Sequence, residues 1–560
     1  MLQHRTEPRA EAKKEHRAET RAQPKQAPPV ETNTTRAEKN LTLGRFGLLL
    51  CLLSWGMLLS ACPKKTQELE TPHVLELKPS HSEATLTPMP GGRSATFTVT
   101  VAGFQDEAKA TNTKMSISPV HVEGLSVVSV VPVHTEHGQV FRFIVEYDFQ
   151  KAFDGAPVEL GLFLENIPKG HEYVGGPLTF RVDIADGLEK TRPIPVHQGN
   201  IEAFNTYANT PDGLKRHYRL TEHVHLAPPE AKKSNWTAIG IWTEMPPHYS
   251  FTGSFDGGGH SLSGLVIHAP EASFQGMFGA TGPGAQIKNL GLTGLSVTGV
   301  SDVGGLVGWN DGEVHNSHVT GSVTAKGTVG GLVGINSGTV HNSYATGEVE
   351  GGVYVGGLVG FSDGEVHNSY ATGSVHGEHR VGGLAGENYG QVHNSYATGS
   401  VEGANVVGGL VSLNEGEVHN SYATGNVTST GNIVGGLVGL NGWRESGTIQ
   451  NSLALNPSVL AAGANVGRVA GINDGPLSDN HAREDMVLKH NSGTPYVPTP
   501  ATASHDKKDG ISTPTAELNT EAFWRNTMKW DFSPTGAWEW RDGFLPLLRG
   551  VGGEQRPLLP

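Results

Sequence analysis

Val329-Gly-Gly-Leu-Val-Gly-Ile-Asn-Ser-Gly-Thr-Val-His-Asn-Ser-Tyr-Ala-Thr-Gly-Glu-Val349 is one phrase in a chain of 560 residues, and it recurs. Leu306, Leu332, Leu358, Leu384 and Leu410, each ending a Val-Gly-Gly-Leu string, follow one another at 26-residue steps, and Leu437 comes 27 residues later. A fixed period of this length marks an array. Inside the phrase, three short apolar runs are separated by Gly and Asn. Such runs are too short for helices, and glycine costs a helix about 1 kcal/mol per residue relative to Ala, whereas in strands it marks corners. The unit is therefore β.

One such unit cannot bury its own apolar face, but stacked units can, each pairing its backbone with the coil above and below. The expected fold is an all-β, right-handed parallel β-helix of about eight 26-residue coils. At about 4.8 Å per coil this makes a rod some 40 Å long. In Tyr344–Val349, alternation points Ala345, Gly347 and Val349 inward and Tyr344, Thr346 and Glu348 outward. Val and Leu three apart cannot share a face of a flat strand, so a bend is expected at the paired glycines.

Stacking turns each repeated residue into a column. Asn316, Asn342, Asn368, Asn394, Asn420 and Asn451 fall at a corner, where amides can bond from coil to coil and satisfy turn backbone; this column reads as structural. His315, His341, His367, His393 and His419 would stack at about 4.8 Å. They read first as an exposed strand position multiplied by duplication, and second as a Zn or Cu ligand set or a pH-responsive stripe. Two residues before each His stand Glu313, Thr339, Glu365, Gln391 and Glu417, so carboxylates alternate with neutral side chains and adjacent like charges are avoided. Tyr344, Tyr370, Tyr396 and Tyr422 form a strip that either packs between coils or offers an outward platform to a glycan or extended peptide. The longer turn Asn441-Gly-Trp-Arg-Glu-Ser-Gly447 makes Trp443 and Arg444 candidate binding residues, because insertions in solenoids bulge from one face.

These phrases resemble the GLUG repeat, named for Gly-Leu-hydrophobic-Gly and found in bacterial surface proteins, adhesin-like chains and immunoglobulin A1 peptidases among them. Gly331-Leu-Val-Gly334 and Gly357-Leu-Val-Gly360 match in full, Gly383-Leu-Ala-Gly386 is close, and Gly409-Leu-Val-Ser412 departs at its last position. Phe251 to His260 is similar to the start of such arrays, and Trp530-Asp-Phe with Trp538-Glu-Trp540 to their exit. The resemblance implies architecture more than activity. The zinc motif of the peptidases, His-Glu-x-x-His, is absent; His171-Glu-Tyr-Val-Gly175 lacks its second His. Asp256, Asp302, Asp311 and Asp363 sit in turn contexts, and no paired carboxylates stand out, so no catalytic residue is assigned.

Outward from the array, Arg45 precedes an apolar run, Phe46 to Leu59, ending in Leu59-Ser-Ala-Cys62. This is similar to a lipoprotein signal peptide, with Cys62 as the lipidated residue; the covalent lipid is then the membrane link, and no other cofactor is expected beyond the Zn that the His column could hold. The expected order is a disordered or misassigned extension over 1–43, signal peptide 44–62, tether 63–75, immunoglobulin-like β-sandwich 76–196, β-helix entry and cap 197–250, GLUG β-helix 251–480, Pro/Ser/Thr-rich connector 481–517, and Trp-rich cap 518–560. The formal charge of −14 argues against nucleic acid as partner. Ten basic and six acidic residues lie in 1–62, and without them the charge is near −18. The two cysteines, Cys51 and Cys62, leave no disulfide in the folded part.

Together these features predict a monomeric, lipid-anchored protein of the bacterial outer membrane or cell surface. It is expected to be non-catalytic and to present its β-helix for adhesion or for a glycan or extracellular protein ligand. The alternative is a β-helix enzyme acting on envelope or host polysaccharide.

Overall fold

The computed structural model describes residues 73–553 apart from 105–112, 119–121, 136–137, 152, 154–156, 176, 243–248, 445–446 and 491–492. The extension, the signal peptide, Cys62 and nearly all of the tether lie outside the described residues. Among those described, no helix is long and apolar enough to cross a membrane.

The repeats pile up in register as a parallel β-helix. His315 pairs with His341, His341 with His367, His367 with His393 and His393 with His419. Four sheets of eleven, eight, seven and nineteen strands form the walls, parallel throughout except where Lys489 pairs with Pro495 at the end of the largest. Each coil contributes more strands than the three runs expected. In the second unit they are Val329–Gly330, Val333–Asn336, Thr339–His341, Tyr344–Ala345 and Glu348–Gly351. The bend expected in Val-Gly-Gly-Leu is there: the chain leaves one sheet after Gly330 and enters another at Val333, so Val329 and Leu332 are both fully buried. Close stacking explains the glycine: a Cβ on Gly331 would stand 2.2 Å from the carbonyl oxygen of Gly357 in the next coil.

The helix is longer than about eight coils. Its eleven-stranded sheet begins at Ile194–Val196, which pairs with His217–Leu220, and ends at Leu477–Ser478. These outer coils stack without carrying the repeated phrase, which is why the period did not reveal them. The helix thus begins inside the stretch assigned to the sandwich and extends past 480, where Ile511–Thr513 still pairs with His481–Arg483.

The interior is an aliphatic column of Val, Leu and Ala, fully buried at Leu332, Val340, Val349 and their equivalents. At its N-terminal coils the short helix Ile201–Ala208 lays Phe204 against Tyr218 and Phe255, with ring centroids 4.9 and 5.4 Å away. At the other end the segment read as a connector is the plug. Val469 and Ala470 donate backbone N–H groups to the Lys508 carbonyl. Arg468, fully buried, donates Nε to the Asp509 carbonyl at 2.9 Å and Nη2 to that of Gly510 at 3.0 Å.

The Trp-rich segment is not an end cap but a strap along the flank. Phe523 meets His481, Trp530 Nε1 donates to the Asn451 carbonyl, and the hydroxyls of Tyr422 and Tyr370 donate to the carbonyls of Pro546 and Gly552. The strap therefore runs back over successive coils toward the start of the array. An aromatic column on the outer surface needs cover once its rings stack, and the strap supplies it.

Upstream, two four-stranded sheets face each other. One is ordered Glu76–Pro79, Ser94–Ala102, Gly138–Tyr147, Leu125–Thr135; the other Glu83–Leu86, Leu178–Ile184, Val158–Glu165, Lys114–Ile117. Phe97, Phe143 and Phe180 meet between them with centroids 5.0–5.1 Å apart. This is the expected sandwich, ending at Ile184 instead of 196.

Candidate functional site

Two positions in the repeat vary while their neighbours do not, and the bend at the glycines brings them face to face. One precedes Val-Gly-Gly: Tyr354, Arg380, Val406 and Ile433 stand in register. The other sits inside Leu-Val-Gly-x-Asn: Trp309, Ile335, Phe361, Glu387, Leu413, Leu440 and Ile472. Where both columns carry apolar residues and Trp443 of the inserted turn stands beside them, a groove of about 640 Å³ opens. Val406, Leu413, Ile433, Leu440 and Ile472 form its floor, with Asn405, His379 and Asp474 at its margin.

Trp443 stands beside this floor with 53% of its surface exposed. The Arg380 guanidinium lies 5.3 Å from the Tyr354 ring centroid and 5.5 Å from that of Trp443, and Arg444 lies 5.1 Å from the latter. Two buried carboxylates hold this wall. Glu387, the one charged residue of its column, accepts Arg380 Nη1 at 2.5 Å. Burial raises its pKa against the pull of the guanidinium. Glu415 accepts the backbone N–H groups of Trp443 and Arg444 at 3.1 and 2.9 Å, which fixes the inserted turn. A second cavity of about 380 Å³ adjoins, sharing Tyr354, Arg380 and Trp443 and adding Phe361, Asp363, Glu387, Tyr389 and Arg444.

The sequence thus located Trp443 and Arg444 through the inserted turn but missed the floor and Arg380. The signal that could have found them is variation at two places of an otherwise constant phrase.

The Tyr strip is not an open platform. Its rings stack at 4.8 Å, with His318 4.7 Å from Tyr344 at one end, facing away from the aliphatic core as expected. Tyr370, Tyr396 and Tyr422 are nevertheless fully buried beneath Trp524, Trp530 and Trp538, and only Tyr344 is half-buried. This face is packing.

The His column stacks with centroids 4.7–4.9 Å apart and planes within 5°. It is half-buried, not fully exposed. Glu313 Oε1 lies 3.0 Å from His341 Nε2, and Glu365 Oε1 lies 2.9 Å from His393 Nε2. Those hydrogen bonds, first, lower both carboxyl pKa values. Burial, and then the neighbouring imidazoles, push His367 down to about 4. Burial likewise lowers His315 and His419.

The Asn corner column has a more specific cause than amide bonding: Asn316, Asn342, Asn368, Asn394, Asn420 and Asn451 all have φ between 47° and 51°. Asn tolerates this left-handed region better than other side chains. Coil-to-coil amide bonds join Asn316 to Asn289 and Asn451 to Asn420. The longer amide ladder lies elsewhere, at fully buried Asn310, Asn336, Asn388, Asn414 and Asn441, where each Nδ2 is donated to the next coil and only Ser362, in the Asn position between Asn336 and Asn388, interrupts the run.

Residues 299–324, 327–350, 351–375, 377–402 and 403–428 each match the family model for the GLUG motif. These five coils carry the GLUG motif. Over 133 residues, 23% of this chain, the sequence is 34% identical to halomucin from Haloquadratum walsbyi; the chain spans about 1% of halomucin's length. A crystal structure from Bacteroides ovatus, named for immunoglobulin A1 protease, aligns over 65% of this chain and 94% of its own at 18% identity and a TM-score of 0.35. A structure named IgA1 protease aligns over 75% of this chain and 35% of its own, at 15% identity and a TM-score of 0.33. Neither likeness bears on activity.

Proposed function

We propose that this chain is a lipid-anchored surface protein of a bacterium whose GLUG solenoid binds a glycan in the groove beside Trp443, without cleaving it. Cys62 would carry the lipid, and the sandwich and solenoid would stand outside the membrane. The observation that carries the reading is the exposed Trp443 ring beside an apolar floor, with Arg380, Asn405 and Asp474 lining the same groove. An aromatic face takes the apolar face of a sugar ring, while convergent polar side chains fix its hydroxyls. The preformed wall, tied by Glu387 and Glu415, holds that ring ready without ordering cost on binding.

The test is a glycan array probed with residues 63–560, followed by calorimetry on the strongest hit. Trp443→Ala should weaken binding at least about tenfold, or 1.4 kcal/mol, with the melting temperature kept. Undiminished binding by that variant, or an array without a hit, would overturn the assignment.

One observation favours polysaccharide cleavage instead: Glu387, with its raised pKa, lines the same cavity as Asp363 and Tyr389. Glycosidic acid catalysis uses two carboxyl groups, the acid being the one whose pKa is raised. Release of new reducing ends, abolished by Glu387→Gln, would support that reading. No release on glycans that bind leaves binding alone.

A further inference from the structure

The geometry points to a divalent transition-metal site formed by Glu365, His367 and His393 on the outer face of the eleven-stranded sheet. It shares no residue with the groove and does not depend on the glycan reading. Among the described residues this is the one trio of His, Cys, Asp or Glu side chains whose donor atoms all lie within 4.8 Å of one another. Glu365 Oε1 stands 2.9 Å from His393 Nε2 and 3.8 Å from His367 Nε2.

The alternation along the column selects this trio. Glu313 also reaches His341, but its other oxygen accepts Gln286 Nε2 at 2.8 Å. Opposite His419 the next coil carries Gln450, so Glu417 has no imidazole on its far side. Glu365 is flanked by the neutral Thr339 and Gln391, and has one His on its own strand and one on the next.

Two imidazoles and one carboxylate suit Zn(II), Co(II) or Ni(II), with water filling what remains. Tetrahedral Zn with bonds of about 2.0–2.1 Å sets its donors ~3.3 Å apart, so the stacked rings must tilt toward each other about χ2. They have room: the His367, His393 and Glu365 side chains are 22%, 18% and 43% exposed. Asn394 Nδ2 lies 3.1 Å from His393 Nδ1. When Nε2 takes the metal, the ring proton moves to Nδ1, and Asn394 can turn its carbonyl to accept it, fixing the metal-binding tautomer. No proton is lost overall from the neutral ring.

The experiment uses residues 63–560 without an affinity tag, stripped by chelator and titrated with Co(II). The expected result is one Co(II) per chain with the visible bands of low-coordinate cobalt, displaced by one equivalent of Zn(II). Glu365→Gln, His367→Gln and His393→Gln should each weaken binding at least about tenfold, while His419→Gln should not. Absence of the bands, or an unchanged titration in the triple variant, would overturn the site. Should a variant lose its β-sheet circular dichroism, Zn K-edge absorption on the unaltered chain decides: two imidazoles with oxygen support the site, and any other imidazole number removes it.

Discussion

The Tyr422 hydroxyl donates to the carbonyl oxygen of Pro546 at 3.1 Å, joining residues 124 apart in the chain. Around this bond Trp538 and Trp530, stacked at 4.5 Å, close over a column of tyrosines contributed by four successive coils. The strap thus turns a repeated exposed aromatic into a second, lateral core.

Trp538 is the strap's buried centre, and Trp538→Ala should cost about 3–5 kcal/mol. The loss should appear as separate opening of the strap, because the aliphatic column of the coils does not include it. Limited proteolysis should then cut between 514 and 553 while the stacked coils survive; unaltered resistance would show that the strap is not held by this ring.

The buried amide ladder has one defect. Ser362 occupies an Asn position, and the Oδ1 of Asn388 in the next coil is left without a hydrogen-bond partner. Ser362→Asn places an Nδ2 there, as in the other coils, and should raise stability by about 1 kcal/mol, read as a higher denaturant midpoint. A lower midpoint would mean that the corner cannot take the larger side chain.

Acid should weaken the His face. The unfolded chain takes up a proton at His367 near its ordinary value of 6.5, whereas the folded chain refuses it until about 4. Stability is therefore lost as pH falls from 6.5 to 4, by up to about 3 kcal/mol. Glu313 and Glu365, with lowered pKa values, add a further loss below about 4.5 as they protonate. His367→Gln should flatten the upper part of the curve of melting temperature against pH; an unchanged slope there would remove His367 as its cause.

The same face carries Glu313, Thr339, Glu365, Gln391 and Glu417 in one register. Replacing Thr339 and Gln391 with Glu puts five carboxylates at about 4.8 Å steps. The melting temperature at pH 7 and low salt should fall and should recover with added salt; an unchanged value would contradict the column.

What the sequence disclosed is what repetition discloses. A period of 26 residues identified the coils, the inward Ala and Val, and the columns of His, Asn and Tyr, because parallel stacking maps equal positions onto one line. It could not disclose coils that stack without the phrase, such as Ile194–Val196, nor that 499–511 would plug the core. The cover of the Tyr column was hidden because Trp538 meets Tyr422 only through tertiary packing. Trp443 was legible as an interruption of the period. The floor of its groove, Val406, Leu413, Ile433, Leu440 and Ile472, was not, since each residue alone is one apolar side chain among many.

The distance from Gln286 to Thr448 tests the stack most directly. These residues occupy one register line six steps apart, though 162 positions separate them in sequence. Spin labels on cysteines placed there, in a chain lacking Cys51 and Cys62, should give one narrow distance near 29 Å, six steps of about 4.8 Å. A broad distribution, or a maximum beyond about 40 Å, would mean that the repeats are not rungs of one shaft.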